Sequence, residues 1–204
     1  MRDSLNRGYH ICHPAAHGNE TGLYYESGGS IFTISQVSGL NNGNMLNIMN
    51  SIACHSGRFT YTDCLAEALM NRVGGGCVAV IMNSHYGYGA PPGMGASEQL
   101  DLKFYQYFWA SNYDSLFEIG KTHFRSKAYF RNSAFNNSTW RHCYYELNLF
   151  GDPSMPIWGD TPKTMTVTHP GSIGTGSQNF TVTVNVNKVP LANALVCLMK
   201  GTEV

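Results

Sequence analysis

Apolar positions along the chain form short runs separated by glycine- and asparagine-rich breaks, and the run from Leu46 to Cys54 organises the rest. Leu46, Ile48, Met49, Ile52 and Ala53 predict a buried strand, preceded by the turn cluster Asn41-Asn42-Gly43-Asn44. Leu65, Ala68 and Leu69 then share one face at helical spacing. Asp63 is the predicted N-cap of that helix, and Glu67 stands near the position of a capping-box acid. Gly74-Gly75-Gly76 ends the helix, and Cys77 to Met82 is a continuous apolar run of strand length, as expected for a strand covered on both faces. Strand, helix and strand with short joints predict a βαβ unit with parallel pairing and a right-handed crossover.

Upstream, Tyr9 to His13 alternates weakly like a short strand, and His17-Gly18-Asn19-Glu20-Thr21 reads as a turn. Gly28-Gly29 marks a loop, and Ile31 to Leu40 alternates poorly. Downstream, Asn83 to Gly95 is a loop rich in glycine, proline and tyrosine that leaves the C-terminal end of a parallel strand. Helices are predicted over Leu100 to Trp109 and Ser115 to Tyr129, the second with Leu116, Phe117, Ile119 and Phe124 as its apolar face. Glu146 to Pro153 reads as a helix closed by a turn, and Met155 to Trp158 as a short edge segment. The composition shifts at Gly159-Asp160-Thr161-Pro162. Beyond it, Thr164 to Thr168 and Phe180 to Val186 alternate with period two, and Leu195 to Met199 is a third strand candidate. A whole β-sandwich needs about seven strands and roughly 100 residues, so this second domain is expected to be incomplete.

Composition narrows the function classes. Thirteen basic and thirteen acidic residues balance, so the electrostatic footprint of a nucleic-acid or anionic-membrane binder is missing. A chain with 13% charged and 43% hydrophobic residues is globular rather than disordered. No apolar run is long enough for a transmembrane helix. Met1-Arg2-Asp3-Ser4 has no signal-peptide pattern, which predicts either an intracellular protein or a fragment without its leader. The six cysteines are dispersed and do not form a disulfide framework. Sequons stand at Asn19, Asn136, Asn137 and Asn179 and matter only where the source glycosylates.

The candidate chemistry lies at Cys54, delivered by the end of a buried strand to the rim of a sheet, where α/β proteins keep their ligand sites. A cysteine nucleophile needs an imidazole to form its thiolate near neutral pH, and His17 is the candidate base. Gly18 lacks a side chain, so a substrate carbonyl can approach its amide, and the amide of Cys54 is the natural second oxyanion donor. On residue type alone the plainer alternative carries more weight: Cys54 as a small buried hydrophobe and His17 as a turn residue. His55 and His85 are alternative bases near the same rim. His13 and His17 are four apart, as zinc ligands on a helix often are, but Pro14 intervenes and no paired cysteines complete a site. A local polar cluster is therefore expected, with no metal and no cofactor.

Taken in order, several segments resemble the gingipain family of cysteine peptidases: His17-Gly18-Asn19-Glu20-Thr21, the apolar strand ending at Cys54 with Phe59 after it, and Cys64-Leu65-Ala66-Glu67-Ala68-Leu69. The resemblance continues through Val78 to Met82, Ser84-His85-Tyr86-Gly87-Tyr88-Gly89, and Leu149-Phe150-Gly151-Asp152-Pro153-Ser154, spanning about residues 9 to 158. It implies an α/β caspase-like three-layer sandwich with a mostly parallel sheet over residues 1–160, present in part. The start of an immunoglobulin-like β domain would follow over 161–204. It further implies peptide-bond hydrolysis through an acyl-enzyme on Cys54, with His17 as general acid and base and the amides of Gly18 and Cys54 as oxyanion donors. Ser84, Tyr86 and Tyr88 would then border the substrate, a protein or peptide, in a secreted or cell-surface enzyme. The family's catalytic domain begins well before its His-Gly, and the earlier strands, the acid that helps place the histidine and the base of the specificity pocket have no counterpart here. Two rivals use the same residues or none: a sortase-like transpeptidase, and a catalytically inactive binding or scaffold domain.

Overall fold

A computed structural model describes residues 1–109, 118–159 and 163–199. Contacts divide the chain into two units, Met1–Gly159 and Asp160–Val204. In chain order the first unit holds α1 (Arg2–Asn6), β1 (Ile11–Cys12), β2 (His17–Asn19), β3 (Gly22–Tyr24), β4 (Ser30–Thr33), α2 (Ile34–Val37) and β5 (Asn47–Ser51). It continues with α3 (Leu65–Met70), β6 (Cys77–Asn83), α4 (Ala96–Trp109), α5 (Ile119–Tyr129), α6 (Arg131–Asn136), α7 (Ser138–Glu146) and β7 (Leu147–Phe150).

The central sheet has the order β1-β5-β6-β7; β1, β5 and β6 run parallel and β7 antiparallel. Every residue of β5 is buried, and β6 is buried except at Val78, as the continuous apolar runs require. The pleat sends alternate side chains to two separate cores. Met49, Val80 and Met82 join Leu65, Ala66 and Leu69 of α3, Leu23 of β3 and Phe32 of β4 on one face. Ile48, Ala79 and Ile81 meet Leu100, Phe104, Ile119, Cys143 and Leu147 on the other. The sheet is thus sandwiched, with α3 and a small β2-β3-β4 antiparallel sheet on one side and α4, α5 and α7 on the other. This is an α/β architecture.

Several elements differ from the sequence reading. The segment His17–Asn19 is a strand rather than a turn: it pairs with β3, His17 opposite Tyr24 and Gly18 opposite Leu23, and the turn is Glu20-Thr21. The N-cap of α3 is Cys64 and not Asp63; the Cys64 amide donates to Glu67 Oε2 at 3.0 Å. Leu65 and Leu69 are buried as expected, Ala68 packs half-buried against the same core, and Ala66 is fully buried as well. The expected helix at Glu146 to Pro153 is instead the strand β7, which follows α7 without a loop and pairs Leu147 with Asn83 and Phe150 with Val80. A short apolar run does not distinguish strand from helix, and here the open edge of β6 decides. Helix α5 buries Ile119 as expected, together with Thr122, His123 and Ser126, but leaves Phe124 65% exposed, so Phe124 is not on the packed face. Leu116 and Phe117 lie outside the described residues. Met155 to Trp158 forms no strand of the central sheet; Pro156 makes one isolated bridge to Glu118.

The second unit is a three-stranded antiparallel sheet, β8 (Met165–Thr168), β9 (Thr183–Val186) and β10 (Val189–Pro190), in the order β10-β9-β8. Asn187 and Lys188 both have positive φ (49° and 66°), the backbone of a two-residue hairpin turn matched to strand twist. That tight turn places β10 at Val189–Pro190, and the expected strand at Leu195 to Met199 does not form; Leu195 is wholly exposed. No helix among the described residues is long and apolar enough to cross a membrane.

Candidate active site

Cys54 is the third residue beyond β5, reached through half-buried Ile52 and buried Ala53, and so emerges at the C-terminal edge of the parallel strands. The chain then folds tightly around it. His55 adopts φ 56°, the left-handed region that costs a non-glycine residue roughly 1–2 kcal/mol. The His55 amide donates to His85 O at 2.9 Å, and the Gly57 amide to Asn83 O at 2.8 Å. A Cβ on Gly57 would stand 2.9 Å from Met82 Cβ, so only glycine lets this turn lie against the end of β6.

The hairpin β2–β3 brings His17 and Gly18 to the same place. A Cβ added to Gly18 would lie 2.8 Å from Ala53 Cβ and 2.8 Å from Cys54 O, so the Gly18 backbone rests directly on the nucleophile segment. His17, beside it, is exposed, and the Cys54 side chain is half-buried. The imidazole therefore arrives on a separate antiparallel hairpin and not on a neighbouring strand of the central sheet.

The loop after β6 closes over the thiol. Gly87 O is 3.9 Å from Cys54 Sγ, in line to accept from it. Asn83 Nδ2 donates to Ile52 O at 2.8 Å and ties the two strand ends together. Tyr86 and Tyr88 are about half exposed; the Tyr86 ring packs edge-on against His55 at 4.3 Å and the Tyr88 ring against His142 at 5.3 Å. Ser84 is half-buried, and its hydroxyl donates to Glu146 O at 3.1 Å and accepts from Asn148 Nδ2 at 3.0 Å. Of the three expected substrate neighbours, the two tyrosines face outward and the serine is held by α7 and β7.

Helix α7 supplies residues the sequence reading did not single out. His142 Nε2 lies 2.9 Å from Tyr86 O and 3.9 Å from Glu146 Oε2. Burial pushes the Glu146 carboxyl up to about 8, against the weaker pull of the His85 amide, the Cys143 thiol and Lys127. Burial, and then the proximity of His142, His55 and Arg58, lowers the His85 imidazole. The other missed pair is Glu20 and Arg58, joined at 2.7 Å between Oε1 and a guanidinium nitrogen. A signal for it was available: with only 13% charged residues, an acid three residues after His17 and a base four after Cys54 are conspicuous.

His13, the rival ligand, is taken by Asp101 of α4 at 2.8 Å and stacks edge-on with Tyr105 at 5.1 Å. Asn50 Nδ2 donates to the same carboxylate at 3.0 Å. Among the described residues no group of three or more His, Cys, Asp or Glu side chains is arranged to hold a metal, and all six cysteines are free.

Known proteins resemble the chain in sequence and in fold. The chain is 27% identical over 197 residues to gingipain R2 of Porphyromonas gingivalis strain W83, covering 91% of this chain and 24% of the relative. The same holds for gingipain R2 of a second strain of that organism. The crystal structure of the Arg specific cysteine proteinase gingipain R superposes with a TM-score of 0.72 at 25% identity, over 91% of this chain and 42% of that one. The complex of the pro- and mature domains of RgpB from Porphyromonas gingivalis has the same fold, with a TM-score of 0.73 at 24% identity. The chain thus spans about a quarter of the length of the curated relatives it matches. Residues 1–158 match peptidase family C25, and the chain belongs to that family, the gingipain family of cysteine peptidases.

Proposed function

We propose that the chain carries the catalytic dyad of a cysteine endopeptidase, with Cys54 as nucleophile and His17 as general base and acid. The observation that carries this reading is the contact of Gly18 with Ala53 and Cys54, which sets the histidine-bearing hairpin against the cysteine. His17 takes the Cys54 Sγ proton, and the thiolate attacks the peptide carbonyl carbon. The amides of Gly18 and Cys54 receive the oxyanion. Collapse breaks the C–N bond as His17 protonates the leaving amine, which leaves a thioester on Cys54. Water, deprotonated by His17, then hydrolyses the thioester and restores the thiol. Tyr86 and Tyr88 form the wall that a protein or peptide substrate meets, with Ser84 behind them.

The same reading makes residues 1–160 part of a caspase-like three-layer domain and residues 161–204 the start of an immunoglobulin-like β domain, supported by the antiparallel order β10-β9-β8. It also implies a secreted or cell-surface enzyme. The test is hydrolysis of a fluorogenic protein substrate by the parent, Cys54→Ala and His17→Ala. Activity vanishes in Cys54→Ala and falls at least about 100-fold in His17→Ala. Parent-level hydrolysis in Cys54→Ala would sink the proposal.

A further inference from the structure

Glu20 has no part in the chemistry just described, yet it joins the hairpin that carries His17 to the turn that follows Cys54. It sits at the turn of the β2–β3 hairpin, three residues after His17. Its carbonyl accepts from the Leu65 amide at 2.8 Å, which fixes the turn to the start of α3. Its carboxylate accepts from the Arg58 guanidinium at 2.7 Å and lies 3.8 Å from His55 Nδ1. That His55 nitrogen is buried and has no hydrogen-bond partner, so Glu20 is the acceptor it faces. His55 follows Cys54 directly and holds a left-handed backbone, a conformation that persists only where surroundings enforce it. Its ring is also hemmed by His85 at 5.0 Å and Tyr86 at 4.3 Å. Glu20 and Arg58 are largely withdrawn from solvent on the acid's side, the Glu20 side chain being 19% exposed. The turn's own amide, followed by Arg58, holds the Glu20 carboxyl below the usual carboxylate range, so it is ionised at neutral pH.

We infer that Glu20 is a positioning residue that locks the His17 hairpin to the Cys54 turn through Arg58, beside His55, and thereby sets the alignment of imidazole and thiol. This rests on the Cys54–His17 reading above. Hairpin and turn belong to different sheets, and backbone contact at Gly18 fixes their distance but not their rotation. A carboxylate that accepts from Arg58 and lies beside His55 supplies that second constraint, and a charge-assisted contact is suited to it. Misplacement of about 1 Å at such a site can cost on the order of 100-fold.

The experiment follows iodoacetamide alkylation of Cys54 by peptide mass spectrometry between pH 5 and pH 9, in folded protein and in the same protein unfolded in urea. The folded parent alkylates Cys54 faster at pH 6 than the unfolded chain, and His17→Ala abolishes that advantage. Glu20→Ala reduces it roughly 10-fold and moves the inflection toward that of the unfolded thiol, and Glu20→Gln, which keeps an acceptor for Arg58, falls between. Glu67→Ala removes the cap of α3 and lowers Tm without altering the Cys54 profile, which separates positioning from loss of stability. Should Glu20→Ala fail to fold, Glu20→Gln carries the comparison. Parent rate and inflection in folded Glu20→Ala or Glu20→Gln would overturn the inference and leave the dyad standing. A folded parent no faster than the unfolded chain would overturn the dyad and the inference with it.

Discussion

Strands β5 and β8 invert the usual relation between pattern and burial. Met165-Thr166-Val167-Thr168 alternates cleanly, yet all of β8 is exposed. Asn47-Ile48-Met49-Asn50-Ser51 is broken by three polar residues, yet all of β5 is buried. The alternating strand belongs to a sheet with only β9 and β10 beside it, so its apolar face has little to cover it. The irregular strand has helices on both faces, and each polar side chain in it has a specific task. Asn47 donates to Tyr9 O and Ser51 to Pro14 O, which hold the segments around β1; Asn50 reaches Asp101. Burial follows from what covers a strand, and the buried polar residues mark where the chain is being held for a purpose.

The comparison can be broken at several points. Met49→Ala in β5, fully buried, should destabilise by about 2–5 kcal/mol in urea unfolding, whereas Val167→Ala in β8, 53% exposed, should cost within about 0.5 kcal/mol. Equal costs would mean that β8 is covered in solution. The next largest effect is expected at Asn42, whose amide donates to Met45 O (2.7 Å), Asn47 Oδ1 (3.2 Å) and Gly76 O (3.0 Å) and accepts from the Gly76 amide at 2.8 Å. Asn42→Ala strands these groups and should cost about 1–3 kcal/mol by the same measurement. Gly18→Ala introduces a Cβ 2.8 Å from Cys54 O and Ala53 Cβ, so it should lower stability by about 1–3 kcal/mol and abolish peptidase activity; a fully active variant would mean that the hairpin is free to move away.

The last effect is spread over pH. Glu146 titrates near 8 in the folded protein against an ordinary value of 4.5, so the folded state keeps a proton that the unfolded chain has lost. Stability from this group is therefore greatest at low pH and falls as pH rises from about 4.5 to about 8. His123 works in the opposite sense: burial lowers it from 6.5 to about 3, so its contribution falls as pH drops through that window. Glu146→Gln should leave the His123 slope intact and gain on the parent steadily between pH 4.5 and 8, read as Tm against pH. A constant difference across that range would show that Glu146 does not titrate there.

The central strands were legible because continuous apolar runs need cover on both sides, and the glycines before Cys77 with the β-branched Val78, Val80 and Ile81 favour a strand there. The proposed dyad rests on residue types, Cys54 after such a run and His17 next to a glycine. The route of His17 was not, because three residues, His17–Asn19, are too few to show alternation and the strand exists only through its pairing with β3. Strand β7 was hidden for a related reason: Leu147 to Phe150 becomes a strand because β6 has an open edge. Helix α5 misled because beside Ile119 its inner face holds Thr122, His123 and Ser126, and the two hydroxyls are satisfied by the helix's own backbone, Thr122 Oγ1 donating to Glu118 O at 3.1 Å and Ser126 Oγ to His123 O at 2.7 Å. The Glu20–Arg58 pair joins positions 38 residues apart; the scarcity of charge marks the two residues, but no local pattern reports that they meet.

The most direct test of the Cys54–His17 dyad is covalent trapping with a peptidyl acyloxymethyl ketone, followed by mass mapping of the adduct. A single adduct on Cys54 in the parent, absent in Cys54→Ala and slowed at least about 100-fold in His17→Ala, is the expected result. An adduct on Cys12 or Cys64, or equal trapping of Cys54 with and without His17, would contradict it.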